Sequence, residues 1–365
     1  MKINALNLQY EAAIKSKIDQ KTKPQGSLGL LENTAMQLAL IQSNKAGKLI
    51  STIEINQPTV IVFAGDHGIS EAGVSIAPSS VTRQMVQNFI TGGAAINCFC
   101  RVNKLNFKVV DAGIIEPIIE PSTNTNPVLS KTVLTHSKFS NTTLLNMRLG
   151  AGTHNFATQP AMTTAQVTQG LAYGEAVIKP LIENNTNLLI LGEMGIGNTS
   201  SAAAIMARLT HYDVDICVGT GTGISAEQLS KKKHLIEQAL LRFKSDDPHT
   251  VLEEVGGFEI VEITGAILAA ASAGICVLID GFIISTAALV ACKIDPNVRG
   301  YLIFAHESNE FGHQLLLNYL QAKPLLRLGL HLGEGTGAAI AFPLLQSAAE
   351  FYNTMASFED AGITV

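Results

Sequence analysis

The sequence predicts an α/β fold with a doubly wound, mostly parallel sheet, and three observations carry that expectation. Short apolar runs recur along the chain and end in glycine or acidic turns; the runs are apolar throughout rather than alternating; helical sequence lies between them. Strands buried on both faces of a parallel sheet read as continuous apolar runs, and a strand–helix rhythm makes βαβ units. With 365 residues, 47% hydrophobic, 31 glycines and no tryptophan, the chain allows one large α/β unit or two domains. Its composition suits an α/β enzyme better than a fibrous or disordered protein.

In order along the chain, residues 1–55 read as helical, with Leu6, Ala13 and Ile14, then Leu28, Leu31 and Leu38, at helical spacing and KPQGSLG (23–29) between them. Strands are expected in TVIVFAGDHG (59–68), FKVVDAG (107–113), NLLILGEMG (187–195), DICVGTGTG (215–223), YLIFAHES (301–308) and LRLGLHLGEG (326–335). Residues 120–147, with PSTNTNP, read as a polar loop or linker. Residues 266–291 are apolar except for Asp280 and long enough to span a bilayer. Their small residues, mid-run acid and lack of flanking Lys/Arg clusters favour two packed helices broken near Asp280-Gly281 in a soluble protein. From Pro343 the chain is helical again. The expected division is therefore a small helical domain of residues 1–55 plus 343–365 and a large α/β catalytic domain of 56–342. Ligands of such sheets gather at the carboxyl ends of the strands, so the six Gly or acid turns can converge on one site.

Charge and cysteine usage exclude several classes. The net charge is −5 and the densest basic cluster is Lys231–Lys233, too small a footprint for nucleic acid. Five cysteines (98, 100, 217, 276 and 292) sit in apolar surroundings without a C-x-x-C pair, and MKINALNLQY is no signal peptide. Buried thiols in a reducing cytoplasm, with no structural zinc, are expected.

The chemistry-bearing turns are glycine-rich. Glu334 stands between Gly333 and Gly335 in LGLHLGEGTGAA, and Glu193 follows Gly192 in LLILGEMGIGNTSS. A glutamate raised towards neutrality in an apolar site can act as a general base near pH 7; the alternative is a carboxylate capping helix N–H groups. GEMGIGNTS resembles a P-loop, but Asn198 stands where its lysine belongs, and Ser200 breaks the dinucleotide pattern. The amides of Gly195, Gly197 and Asn198 can still hold one phosphate at the start of a helix, or form a bare strand–helix turn. VGTGTG, with Gly219, Gly221 and Gly223, is a second candidate nest, with Lys231 and Lys232 downstream. HESNEFGH (306–313) fails the H-E-x-x-H pattern because Glu310 occupies its last position, although helical spacing would put His306 and His313 on one face. Asp66 and His67 read as a hydrogen-bonded strand-end pair or as metal ligands.

Together these segments resemble the nicotinate-nucleotide–dimethylbenzimidazole phosphoribosyltransferases, which make the lower-ligand nucleotide of cobalamin. The resemblance rests on KPQGSLGLLE (23–32), FAGDHGISEAGVSIAPSSVTRQMVQNF (63–89), GAGTHNFATQPAMT (150–163), GEMGIGNTSSAAAI (192–205), VGTGTG (218–223), GGFEI (256–260), DGFIISTAAL (280–289), ESNEFGH (307–313) and LGEGTGAA (332–339), all in one order. It implies a Rossmann-like body, a helical domain from both chain ends and a homodimer; a cytoplasmic enzyme with no metal or other cofactor is expected. By the same resemblance Glu334 is the base, with Glu193 supporting it. Gly195, Gly197, Asn198, Thr199, Gly219, Gly221, Gly223, Lys232 and Ser308 would hold the phosphate of nicotinate mononucleotide. Ser80, Gln84, Met85 and Leu332 would face the acceptor base. A non-catalytic nucleotide sensor and a metal-dependent hydrolase using Asp66, His67 and His306 are the competing readings.

Overall fold

The structure, a computed structural model, describes residues 2–118, 131–133, 142–219 and 223–364. A seven-stranded sheet runs in the order β3-β4-β2-β1-β5-β6-β7. Its strands are β1 (Thr59–Gly65), β2 (Asn106–Gly113), β3 (Lys131–Val133), β4 (Thr143–Asn146), β5 (Leu188–Met194), β6 (Cys276–Ile279) and β7 (Leu302–Phe304). Every pairing is parallel except β3 with β4. Strand β1 is buried at every position and β5 at all but its last, which is why both run apolar without alternation. From β1 the chain winds outward through β2 to β4, then returns to place β5 on the other side of β1. The carboxyl ends of β1 and β5 therefore flank the topological switch point, the usual place for a ligand crevice.

Helices cover both faces. Two N-terminal helices, α1 (Glu11–Asp19) and α2 (Leu30–Ala46), precede β1. They are followed by α3 (Ser80–Thr91), α4 (Ala95–Asn103), α5 (Thr164–Glu183), α6 (Asn198–Thr210), α7 (Val214–Cys217), α8 (Ala226–Arg242), α9 (Pro248–Val255) and α10 (Phe258–Ser272). After β6 come α11 (Phe282–Ile294), α12 (His313–Tyr319) and α13 (Thr336–Thr354). Helix α5 starts on a capping box between Thr163 and Gln166, and α8 on one between Ser225 and Gln228, the reciprocal pairing that satisfies the first free amides. Helix α10 is buried from Phe258 to Ala271. It lies against α5 so closely that a Cβ on Gly174 would stand 2.0 Å from the Glu262 carbonyl oxygen, and one on Gly265 2.2 Å from that of Leu171.

Several expectations are corrected. The described residues of 215–223 form no strand: Val214–Cys217 is a short helix, and β5 is paired on both sides, with β1 and with β6. The run 326–335 is also not a strand. It makes a single bridge, His306 with Leu326, and Leu328 and Leu332 are 56% and 59% exposed. Left-handed Gly329 and Gly333 break its extension, and it crosses the carboxyl edge of the sheet as a loop. Residues 266–291 are helix–strand–helix, with β6 between the two helices, and no helix among the described residues is long and apolar enough to cross a membrane. Part of 120–147 joins the sheet as β3 and β4, while 120–130 and 134–141 lie outside the described residues. Residue 343 falls inside α13, so one helix both follows Glu334 and packs against α2.

Candidate active site

Two Gly-flanked acids meet at the switch point. Glu334 ends the crossing loop with φ +63, between Gly333 at +85 and Gly335 at +82. Three left-handed residues in a row suit glycine, so the acid at the centre carries backbone strain of the kind that clusters at functional sites. The two turns interlock. A Cβ on Gly192 would lie 2.5 Å from the Glu334 carbonyl, and one on Gly333 2.2 Å from Glu193 Oε1, so neither glycine can carry a side chain without parting the acids.

A pocket of about 230 Å³ opens here, lined by Glu193, Glu334, the Gly195–Thr199 turn, Lys232, Asp280, His306, Ser308 and Glu310, with Met85, Phe282, His331 and Leu332 around them. Strand ends supply Glu193 and, just beyond β6 and β7, Asp280 and His306; the N-termini of α6, α11 and α13 point at the space. Its two ends carry opposite character. At one end Lys232, 2% exposed, donates from Nζ to Thr199 Oγ1 at 2.8 Å. Burial pushes this ammonium down to about 8, against the opposing pull of the Glu310 carboxylate. A buried cation beside the free amides of a helix start is an anion site.

The acidic end holds three carboxylates. Burial raises Glu334 to about 7; the Ile96 amide, donating to Oε2 at 3.4 Å, opposes that rise, and the charge of Asp280 adds to it. Glu193 is raised to about 8, by burial first and then by Glu259 and Asp280, while the Asn198 side-chain amide donates to it. Asp280 Oδ1 accepts from the Ala338 amide at 2.8 Å, pinning the first turn of α13 behind Glu334, and lies 3.5 Å from His306 Nε2.

Most sequence-derived candidates converge. Glu334, Glu193, Gly195, Gly197, Asn198, Thr199, Lys232, Ser308, Met85 and Leu332 all line the pocket. Asn198 lies there differently from the expected donor: its backbone N–H closes the turn on Gly195 and its side chain binds Glu193. Ser80 and Gln84 are exposed and do not line the pocket. Helix α3 turns Thr82, Met85 and Val86 inward, which leaves 80 and 84 on the far face. Thr82 itself accepts from the Ile196 amide and so braces the turn. Gly219 packs on Phe311 and Gly223 is open to solvent; neither lines the pocket, and Gly221 lies outside the described residues. The His306–Glu310 stretch is not helical, so the two histidines do not share a helix face.

His67 pairs with Glu259 rather than Asp66, its Nε2 lying 2.6 Å from Oε1 with both side chains fully buried. The ring sits beneath the anion turn: a Cβ on Gly195 would come 3.3 Å from it, and one on Gly257 2.3 Å. Among the described residues no group of three or more His, Cys, Asp or Glu is placed to hold a metal ion. Sequence reasoning missed Glu259 as His67's partner, and Asp280 and His306 as pocket residues of the acidic end. The one available signal was an acid inside an otherwise apolar run.

Comparisons with known proteins show the family and the fold. Residues 3–363 match the family described as Phosphoribosyltransferase. A nicotinate-nucleotide–dimethylbenzimidazole phosphoribosyltransferase of Vibrio parahaemolyticus is 52% identical over 99% of this chain and all of its own length. One from a Shewanella species (strain MR-4) is 54% identical over 96% of this chain and 93% of its own. The crystal structure of CobT from Thermus thermophilus superposes with a TM-score of 0.87 at 38% identity, covering 98% of this chain and 99% of that one. With the fold, the two-ended pocket and relatives matched over their full length, this chain belongs to the nicotinate-nucleotide–dimethylbenzimidazole phosphoribosyltransferase family of enzymes.

Proposed function

We propose that the enzyme transfers the 5-phosphoribosyl group of nicotinate mononucleotide to 5,6-dimethylbenzimidazole or a related base. The products are α-ribazole 5′-phosphate and nicotinate, in the assembly of the cobalamin nucleotide loop. One observation carries the reading: a single pocket joins a buried cation at a helix start to a glutamate held near neutrality. The relatives' shared name supports the same reaction.

The phosphate of the nucleotide sits against the Gly195 and Gly197 amides, Thr199, Lys232 and Ser308. That anchor directs the ribose C1′ towards the acidic end. Glu334 removes the ring N–H proton of the acceptor, which enters beside Met85 and Leu332. The acceptor nitrogen's lone pair forms the new bond to C1′ as the bond to the pyridinium nitrogen breaks, inverting the centre from β to α. The breaking pair neutralises the departing pyridinium, so no general acid is required. Glu193, raised above Glu334, stays protonated at pH 7 and keeps a second negative charge away from the base. We further propose a cytoplasmic homodimer. Burial pushes the thiols of Cys100, Cys217, Cys276 and Cys292 up to about 12, which suits inert cysteines in a reducing compartment. Sedimentation at the mass of one chain would remove the dimer.

The test is incubation with nicotinate mononucleotide and a panel of benzimidazoles and purines, following free nicotinate and α-ribosyl phosphates by chromatography. Base-dependent release of nicotinate is expected, with the fastest base naming the acceptor. No release with any base would overturn the assignment.

A further inference from the structure

Behind the pocket wall lies His313, the first residue of α12 and fully buried. Its Nδ1 is 2.9 Å from the Ser308 backbone nitrogen and 2.9 Å from the Ser308 hydroxyl, and its Nε2 is 2.9 Å from the Ser285 hydroxyl on α11. A backbone N–H only donates, so Nδ1 carries the lone pair. A neutral ring then bears its proton on Nε2, which donates to Ser285. Burial drives the imidazole down to about 3, with His306 adding to the effect. Burial and the Ser308 amide at Nδ1 both favour the neutral ring. Phe282 and His306, both pocket residues, hold it edge-on at centroid distances of 6.4 and 6.2 Å.

This arrangement settles what the Ser308 hydroxyl can do. The in-plane lone pair of Nδ1 is occupied by the Ser308 amide, so the hydroxyl hydrogen has at most a share of that acceptor. The hydroxyl oxygen is approached only distantly by the Glu310 amide, at 3.4 Å. Ser308 lines the pocket two residues from Glu310, whose carboxylate acts on Lys232. An arriving anion is a far stronger acceptor than a shared ring nitrogen.

We propose that His313 is a positioning residue for the anion site: it anchors the Ser308 backbone and leaves the Ser308 hydroxyl aimed into the pocket as a donor to the nucleotide phosphate. The inference rests on the transferase reading above, in which Ser308 is one of the phosphate donors.

The experiment compares Ser308→Ala, His313→Phe, the double variant, His313→Asn and His313→Gln in nicotinate release. KM for nicotinate mononucleotide, KM for the base and kcat are read separately, with Tm measured for each protein. His313→Phe is expected to raise nucleotide KM about tenfold or more, as loss of a hydrogen bond to a charged group does, with kcat and the base KM little changed. The double variant should be no worse than Ser308→Ala alone, because both remove the same contact. His313→Asn can place its amide oxygen where Nδ1 stands and should restore most of the affinity; His313→Gln reaches towards Ser285 instead and should not. Equal nucleotide KM for the Asn and Gln variants, or losses in His313→Phe and Ser308→Ala that add, would sink the proposal, and the Asn–Gln pair decides alone if the Phe variant does not fold. A wild-type chain that releases no nicotinate removes the transferase reading itself. An active wild type with unchanged KM in Ser308→Ala leaves that reading standing and removes this one.

Discussion

At Glu334 a left-handed backbone and an elevated carboxyl occur in the same residue, and their consequences can be separated by one substitution. Glu334→Gln should lower kcat by roughly a hundredfold or more, the usual cost of losing a general base. It should also raise stability at pH 8. The carboxyl titrates near 7 in the native state and near 4.5 unfolded, so the fold loses stability as pH rises between those values, by up to about 3 kcal/mol. Glutamine carries no such penalty; a Tm at pH 8 no higher than wild type would contradict the burial of the charge. The pH profile of kcat/KM should be bell-shaped. The acid limb lies near 7, where Glu334 must lose its proton, and the alkaline limb near 8, where free Lys232 loses its own. Bound phosphate stabilises the ammonium, so the alkaline limb should move upward in kcat. Glu334 and Lys232 were both legible as residues, but their titration depends on burial that only the fold supplies.

Among the elements, the helix pair α5 and α10 shows how far close approach is decided by glycine. Gly174→Ala would gain roughly 1 kcal/mol of helix propensity, yet the added methyl would stand 2.0 Å from a backbone oxygen. Overpacking typically costs about 1–3 kcal/mol, and a backbone contact this short lies at the upper end, so net destabilisation of up to about 2 kcal/mol is expected in urea unfolding; a stabilised variant would refute the contact. Strands β1, β5 and β7 were readable because burial on both faces leaves continuous apolar runs, and β2 because its second half is buried in the same way. The 326–335 run shared that signature without being a strand. Leu328 and Leu332 face outward, Leu332 at the pocket, and composition does not distinguish an apolar loop around a ligand site from a buried strand. Strand β6 was hidden for the opposite reason, since its four residues merge into the apolar helices on either side.

For the whole molecule, ligand binding and folding are linked. Nicotinate mononucleotide at a hundred times its Kd should stabilise the native state by about 2.7 kcal/mol, seen as a rise in Tm of several degrees. Lys232→Ala should lose most of that rise and raise nucleotide KM while leaving the KM for the base nearly unchanged. A full rise in the variant would remove Lys232 from the anion site. The α/β class, the runs that become β1, β2, β5 and β7, and the identity of the two glutamates and the Gly195–Thr199 turn were determined by the sequence alone, because hydrophobic periodicity and glycine punctuation are local signals. The tertiary structure alone decided that Glu193 and Glu334 interlock, that Asp280 and His306 join them, that His67 answers to Glu259, and that Ser80 and Gln84 face away. Those relations join residues far apart in the chain, and no local pattern encodes which side chains a sheet's switch point brings together.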